Sequence, residues 1–493
     1  MSTAPTPSPR NLEFYRKQAK SLLKAARAGD AQATQRLRRS VPRLQAAGGS
    51  LPGDIGLYDA QLALARENGF ASWPLFRADL LASRGDRPKR FRPHVRDAGW
   101  YEQRIAGVLS AHRAGLPEAL DEIRRNHPRL AAATDDELCE AEFTEDDARI
   151  VVAREHGFES WDEFQIHVRA IQSGDRREPL VEAFEAIERG DAATVAALVQ
   201  HHPDLLDAQG TGGSSLLNLA VSTKQPTVCR LLLDLGADVD LATTRGVTPL
   251  HEAAYSIQAE LIEMLLDAGA SPQMNAYGDG GTPLVMALFW GHDEAREALA
   301  RGAIAPDNLR VAAGLGRLDL VKSFFAADGS LQAEAFAHRN FYRPNAGWPV
   351  WRRSDDRQEV LDEAFTYAAR NGRLGVLDFL LAGGANIDGD PYRGTALIWA
   401  AWKGRADVIR WLVDQGASIN RQATFGGVGH GEGLTALHAA AQTGRLDVVR
   451  ILIERGADPG IRDALFNATA SGWAEHHGHA EVSDYLEAKA AAR

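Results

Sequence analysis

Six side chains are of the kinds that general acid–base chemistry uses: Glu252, His338, Asp355, Asp356, His430 and Glu432. Proton transfer at neutral pH needs a carboxylate or imidazole whose pKa is moved towards 7 by a pocket that excludes water. Arg339 and Arg343 could hold an anionic substrate beside them. A hydrolase- or lyase-type reaction would suit such a set. A second group is aromatic and cationic: Tyr255, Phe289, Trp290, Tyr342, Arg343, Tyr367, Arg370, Trp399 and Trp402. Such residues hold ligands by stacking and burial of area rather than by making bonds. His476, His477 and His479 beside Glu475 and Glu481 could ligate a metal by type, yet such carboxylates are common on a solvated capping helix and spacing alone is a weak signal. No metal site and no cofactor is expected. The chain holds no HExxH, serine elbow or dinucleotide fingerprint.

The elements that must position these residues come from repeats. Gly-Ala pairs recur at Gly236-Ala237-Asp238, Gly269-Ala270-Ser271, Gly302-Ala303, Gly384-Ala385-Asn386, Gly416-Ala417-Ser418 and Gly456-Ala457-Asp458, the first two steps being 33 residues each. A second signature keeps pace at Thr248-Pro249-Leu250-His251, Thr282-Pro283-Leu284, Thr395-Ala396-Leu397 and Thr435-Ala436-Leu437-His438. Threonine and proline start a short helix, and glycine ends it. A second helix with apolar residues at i, i+3 and i+4 follows, as in Leu446-Val448-Val449-Ile451-Leu452. No such unit buries its faces alone, so stacking is obligatory. These two linked motifs resemble the ankyrin repeat, and the resemblance runs from Glu182 to the C-terminus. It implies that the residue after the motif histidine, and the pair before the helix-ending glycine, face a concave groove. Tyr255, Phe289, Trp290, Tyr367, Arg370, Trp399 and Trp402 would then share one wall. His251 and His438 would tie neighbouring loops by hydrogen bonds.

The expected fold is all-α, an ankyrin-type α-solenoid of stacked helix pairs with long inter-repeat loops. Residues 59–81 align without gaps to 147–169, so a divergent helical unit is duplicated ahead of the array. The nearest resemblance is to bacterial ankyrin-repeat proteins with such a leader. The expected boundaries are a disordered 1–10, leader units at 11–98 and 99–175, and ankyrin repeats over 176–332. An inserted segment rich in aromatic residues and arginine follows at 333–359, and repeats with a polar cap complete 360–493. The insertion and the glycine-rich loop 422–433 break the period. Folded over the groove, they would either bury its rings or turn it into a pocket.

Composition narrows the function. Of 493 residues 45% are apolar, and 55 Lys+Arg against 66 Asp+Glu give a net charge of −11. That sum hides a basic first hundred residues, with 18 basic and 8 acidic side chains. The basic stretch has sparse aromatics and no recognition motif, so nucleic acid is not the expected partner. No apolar run is long enough for a membrane span. Two cysteines, Cys139 and Cys229, fit a reducing, cytoplasmic setting. The expectation is a binding protein that holds a protein, peptide or small-molecule ligand in the groove. The alternative is an enzyme whose active site lies where the insertion and the glycine loop cover it.

Overall fold

The computed structural model describes residues 12–41, 44, 55, 57–69, 76, 91–93, 98–113, 115, 117–300, 308–339, 354–391, 393–424 and 432–492. They form two compact units, 1–106 with 117–274, and 107–116 with 275–493. The architecture is all-α: helix pairs stacked as a solenoid, with only isolated β-bridges among the described residues. The expectations for 1–10, and those for Tyr342, Arg343 and His430, lie outside the described residues.

The leader holds α1 (Leu12–Arg27), α2 (Ala31–Ser40), α3 (Leu57–Glu67), α4 (Ala98–Arg113), α5 (Pro117–Asn126), α6 (Asp135–Glu140), α7 (Glu145–Glu155) and α8 (Trp161–Gln172). The duplicated sequence yields duplicated elements. α1 and α4 are each 16 residues long, and α3 and α7 each 11. The turns that follow α3 and α7 use Gly69 and Gly157 at φ 89° and 90°. Ser160 caps α8 by accepting from the Glu163 amide at 3.3 Å, as its position before Trp161 predicts. Such a cap is worth about 1 kcal/mol.

The first unit continues with α9 (Pro179–Glu188), α10 (Ala192–His201), α11 (Leu216–Ser222), α12 (Pro226–Leu235), α13 (Pro249–Tyr255) and α14 (Ala259–Asp267). The α13–α14 pair shows why this sequence folds so. The Thr248 hydroxyl and the His251 ring bind each other's end of a capping box, and Pro249 opens the helix. Ala253 and Ala254 have no exposed surface, so the helix lies close to its neighbours. Leu261, Ile262 and Leu265 then bury the inner stripe of α14.

The second unit contains α15 (Pro283–Trp290), α16 (Asp293–Ala300), α17 (Leu309–Leu315), α18 (Leu318–Ser323), α19 (Arg357–Arg370), α20 (Leu374–Ala382), α21 (Ala396–Lys403), α22 (Ala406–Asp414), α23 (Ala436–Gln442), α24 (Leu446–Glu454), α25 (Ala470–His476) and α26 (Ala480–Ala491). One apolar core runs unbroken from Leu309 to Leu486. α19 begins three residues inside the expected insertion and is twice the length of α23.

Two side-chain ladders join successive pairs. At the loop end, the amide after the Gly-Ala pair is held by the preceding loop at three repeats. Ser271 N donates to Asp240 Oδ1 at 2.8 Å, Ser418 N to Asp388 Oδ1 at 2.9 Å, and Asp458 N to Asn420 Oδ1 at 2.8 Å. The polar side chain of the Gly-Ala signature has a separate use: Asp238, Asn386 and Asp458 each accept from the backbone amide two residues on, at 3.1, 3.1 and 3.0 Å. At the other end, Arg373, Arg405, Arg445 and His479, each directly after a turn glycine, lay their side chains over Gly316, Gly372, Gly404 and Gly444 of the previous pair. Gly404 has φ 70°, and a Cβ there would stand 3.0 Å from the Arg445 guanidinium. His438 works as expected: Thr435 Oγ1 donates to its Nδ1 at 2.8 Å, leaving Nε2–H to donate to Ala468 O in the next loop at 3.2 Å.

Candidate functional site

Within the second unit, α15, α19 and α21 present a ring cluster around one guanidinium. Arg370 lies with its Cζ 3.7 Å from the Trp399 ring centroid, 4.6 Å from Phe289 and 4.9 Å from Tyr367. Its Nη1 donates to Phe289 O at 2.7 Å and its Nε to Thr366 O at 3.2 Å. Trp399 stacks on Trp402 at 5.1 Å, and Trp290 meets Trp402 edge-on at 5.8 Å. A desolvated cation–ring contact is worth about 2 kcal/mol. Phe289, Tyr367, Arg370 and Trp399 are buried, whereas Trp290 and Trp402 are half-exposed. The ankyrin resemblance implies one open wall for all six; Phe289, Tyr367, Arg370 and Trp399 instead pack into the stack. The cause is a contact between helices distant in sequence: Arg370 on α19 fills the space between the rings of Phe289, Tyr367 and Trp399, which close over its guanidinium.

Beneath this cluster lies a buried ionic network. Glu363 on α19 receives Arg310 Nη1 from α17 at 2.6 Å and Arg339 Nε from the inserted segment at 2.6 Å. Arg339 also binds Glu359 at 3.0 Å and Ser354 O at 2.9 Å. Burial would push the Glu363 carboxyl up, but the two guanidinium groups hold it below the usual carboxylate range. Arg339 is therefore a structural clamp at the root of the insertion, its charge already engaged. The Tyr367 hydroxyl is buried without a hydrogen-bond partner, and burial raises its pKa.

The acid–base candidates are placed apart. Glu252 sits on α13 in the first unit, half-buried, and burial raises its carboxyl pKa. His338 pairs with Asp279 at 2.8 Å in an exposed position. Asp355 is exposed, and Asp356 caps α19 by accepting from Gln358 N at 3.0 Å. Glu432 is half-buried and offers its backbone carbonyl to Ala464 N at 2.9 Å. Among the described residues of the second unit, no two of these candidates share a hydrogen bond or an ion pair. No group of three or more His, Cys, Asp or Glu among the described residues is placed to hold a metal ion. Sequence reasoning missed Glu363 and Arg310. The signal for Glu363 was an acidic residue amid Val360, Leu361, Ala364 and Phe365, where a helix face otherwise reads as core.

A model of ankyrin repeats taken in three copies matches residues 183–276, 217–308 and 309–423, and a single ankyrin-repeat model matches 432–464. The chain belongs to the ankyrin-repeat family. Among its similar proteins, Protein PhlB of Serratia liquefaciens is 38% identical over 110 residues, covering 22% of this chain and 48% of PhlB. The ankyrin repeat and KH domain-containing protein mask-1 of Caenorhabditis elegans is 29% identical over 213 residues, covering 39% of this chain and 8% of that protein. Protein fem-1 homolog A-like of Mus musculus is 31% identical over 102 residues, covering 21% and 15%. The chain thus spans less than half the length of each of these relatives. The ankyrin matches begin beyond the leader, so α1–α8 lie outside them.

Proposed function

We propose that this ankyrin-repeat protein is a binding protein that holds a protein or peptide partner along the faces of its first helices. In the second unit Trp290 and Trp402 are the contact rings. The observation that carries this reading is their half-exposed position on a rigid base of buried Phe289, Tyr367, Arg370 and Trp399. Tryptophan is the residue most often found to dominate binding energy at interfaces, because it buries much area at little entropic cost. Tyr255, on α13 of the first unit, is 52% exposed. Both cysteines are free, Cys229 buried and Cys139 exposed, which supports a reducing cytoplasm as the setting. The Serratia relative supports a bacterial source.

A photo-crosslinking residue placed at position 402, and separately at Arg410 on the outer helix α22, tests the reading in cells. Crosslinks from 402 that Trp290→Ala abolishes are the expected result. Crosslinks of equal yield from 410, or none from 402, would overturn it.

A further inference from the structure

One cluster of charged side chains plays no part in the binding surface above, although it borders it. Lys403 ends α21 and lies across the turn that follows α15. Its Cγ and Cε are each 3.2 Å from where a Cβ on Gly291 would be. Among the described residues its ammonium has no hydrogen-bond partner and no carboxylate within 4.0 Å. Asp293 acts on it electrostatically but is already engaged, by Arg296 and by Arg405 at 2.7 and 2.9 Å. Arg445 adds a further positive charge, exposed and with no ion-pair partner among the described residues.

The consequences of uncompensated charge are visible in the neighbours. Burial, and then Arg405, pull the Lys403 ammonium down to about 8. Burial, and then Lys403, pull the His292 imidazole down to about 4, and its Nδ1 is buried without a partner. Three donors on an ammonium, poorly hydrated and facing guanidinium groups, call for an oxygen anion. Beside it are rings. Trp290 directly precedes the turn under Lys403, Trp402 directly precedes Lys403, and their centroids are 5.8 Å apart.

We propose that Lys403, with Arg445 beside it and the half-exposed rings of Trp290 and Trp402 adjoining, binds an organic oxyanion. The ligand class is a phosphate monoester or carboxylate carried on an aromatic or apolar body. The anion takes the ammonium's hydrogen bonds and offsets its repulsion from Arg405 and Arg445. The body covers the tryptophan edges. This site stands on its own cations: failure of crosslinking at position 402 would leave it intact, and its own failure would leave the partner surface intact.

The test uses phenyl phosphate and benzoate as probes, with inorganic phosphate as the bare anion. Trace acetylation of the full chain between pH 6 and 11, read by peptide mass spectrometry, reports the titration of Lys403. Free Lys403 is expected to titrate near pH 8. Saturating phenyl phosphate or benzoate should raise that midpoint by about one unit and cut labelling at pH 8 about fivefold. Protection by phenyl phosphate alone assigns the phosphate class, and protection by benzoate alone the carboxylate class. In calorimetry Lys403→Gln should weaken the protecting probe at least about tenfold, while Lys403→Arg keeps it within about threefold. The proposal is overturned if neither aromatic probe protects Lys403, if inorganic phosphate protects as well as they do, or if Lys403→Gln binds as well as the parent. The labelling arm uses the unmutated chain, so it decides even where a variant fails to fold.

Discussion

Glu363 shows how much one residue can carry in a stacked array. It joins α17, α19 and the inserted segment through Arg310 and Arg339, whose side chains are 2% and 1% exposed. Glu363→Gln keeps the shape but leaves two buried guanidinium groups without their shared counter-charge. A loss of about 3–5 kcal/mol is expected in denaturant unfolding, the usual cost of breaking a buried pair by removing one partner. Ile257 is the opposite case. This β-branched residue sits at φ 58° in the turn between α13 and α14, where the other pairs mostly use glycine. It is 45% exposed, so its side chain gains little from burial. Ile257→Asn should stabilise the protein by about 1 kcal/mol, seen as a higher denaturation midpoint with an unchanged slope. An unchanged or lower midpoint would show that the isoleucine is held by contacts worth more than the backbone strain.

Among the elements, α7 carries a titratable device. Glu155 at its end is buried, and neither carboxylate oxygen has a hydrogen-bond partner. Arg104 on α4 lies 3.6 Å from it and is also bound to Glu122 on α5. Burial, then repulsion from Glu122, raise the Glu155 carboxyl to about 7 against the pull of Arg104 and Arg125. The folded pKa exceeds the unfolded one. Its contribution is therefore full below the unfolded value near 4.5 and is lost as pH rises through 7. Neighbouring His156, lowered to about 4 mainly by burial, runs the other way and costs stability as pH falls below the unfolded value. Their opposition flattens the profile of the parent protein. Glu155→Gln removes one side of it, so the stability of the variant relative to the parent should improve by about 3 kcal/mol between pH 4.5 and pH 8. A difference that does not change with pH would refute the assignment.

Helices were the legible part of this molecule, for a physical reason. Caps, helix-ending glycines and apolar stripes act within a few residues, so Thr248-Pro249, Ser160 and the α7 duplication declare themselves in sequence. The site was legible only in outline. Trp290 and Trp402 stay half-exposed, but burial of Trp399 and Tyr367 depends on Arg370 lying between α15 and α21, a relation between helices distant in sequence. The partners of Glu363 are 53 and 24 residues away, beyond any local pattern.

At the scale of the molecule, the loop ladder has a direction. At three rungs the later repeat donates a backbone amide and the earlier one accepts with a side chain: Ser271 to Asp240, Ser418 to Asp388, Asp458 to Asn420. Other loop contacts run the opposite way, with His438 Nε2 and Gln422 Nε2 donating to Ala468 O and Arg462 O of the following loop. Where such a bond is exposed, water takes over both partners once it is lost, and the net cost is about 1 kcal/mol. Asp388→Ala, which removes the acceptor of one rung, should cost that amount in unfolding experiments, while Asp458→Ala leaves its own rung intact because only its main chain takes part. Each of these rungs can thus be cut by a side-chain truncation in the earlier repeat and by none at the donor position of the later one, so this seam between repeats can be edited from one side only.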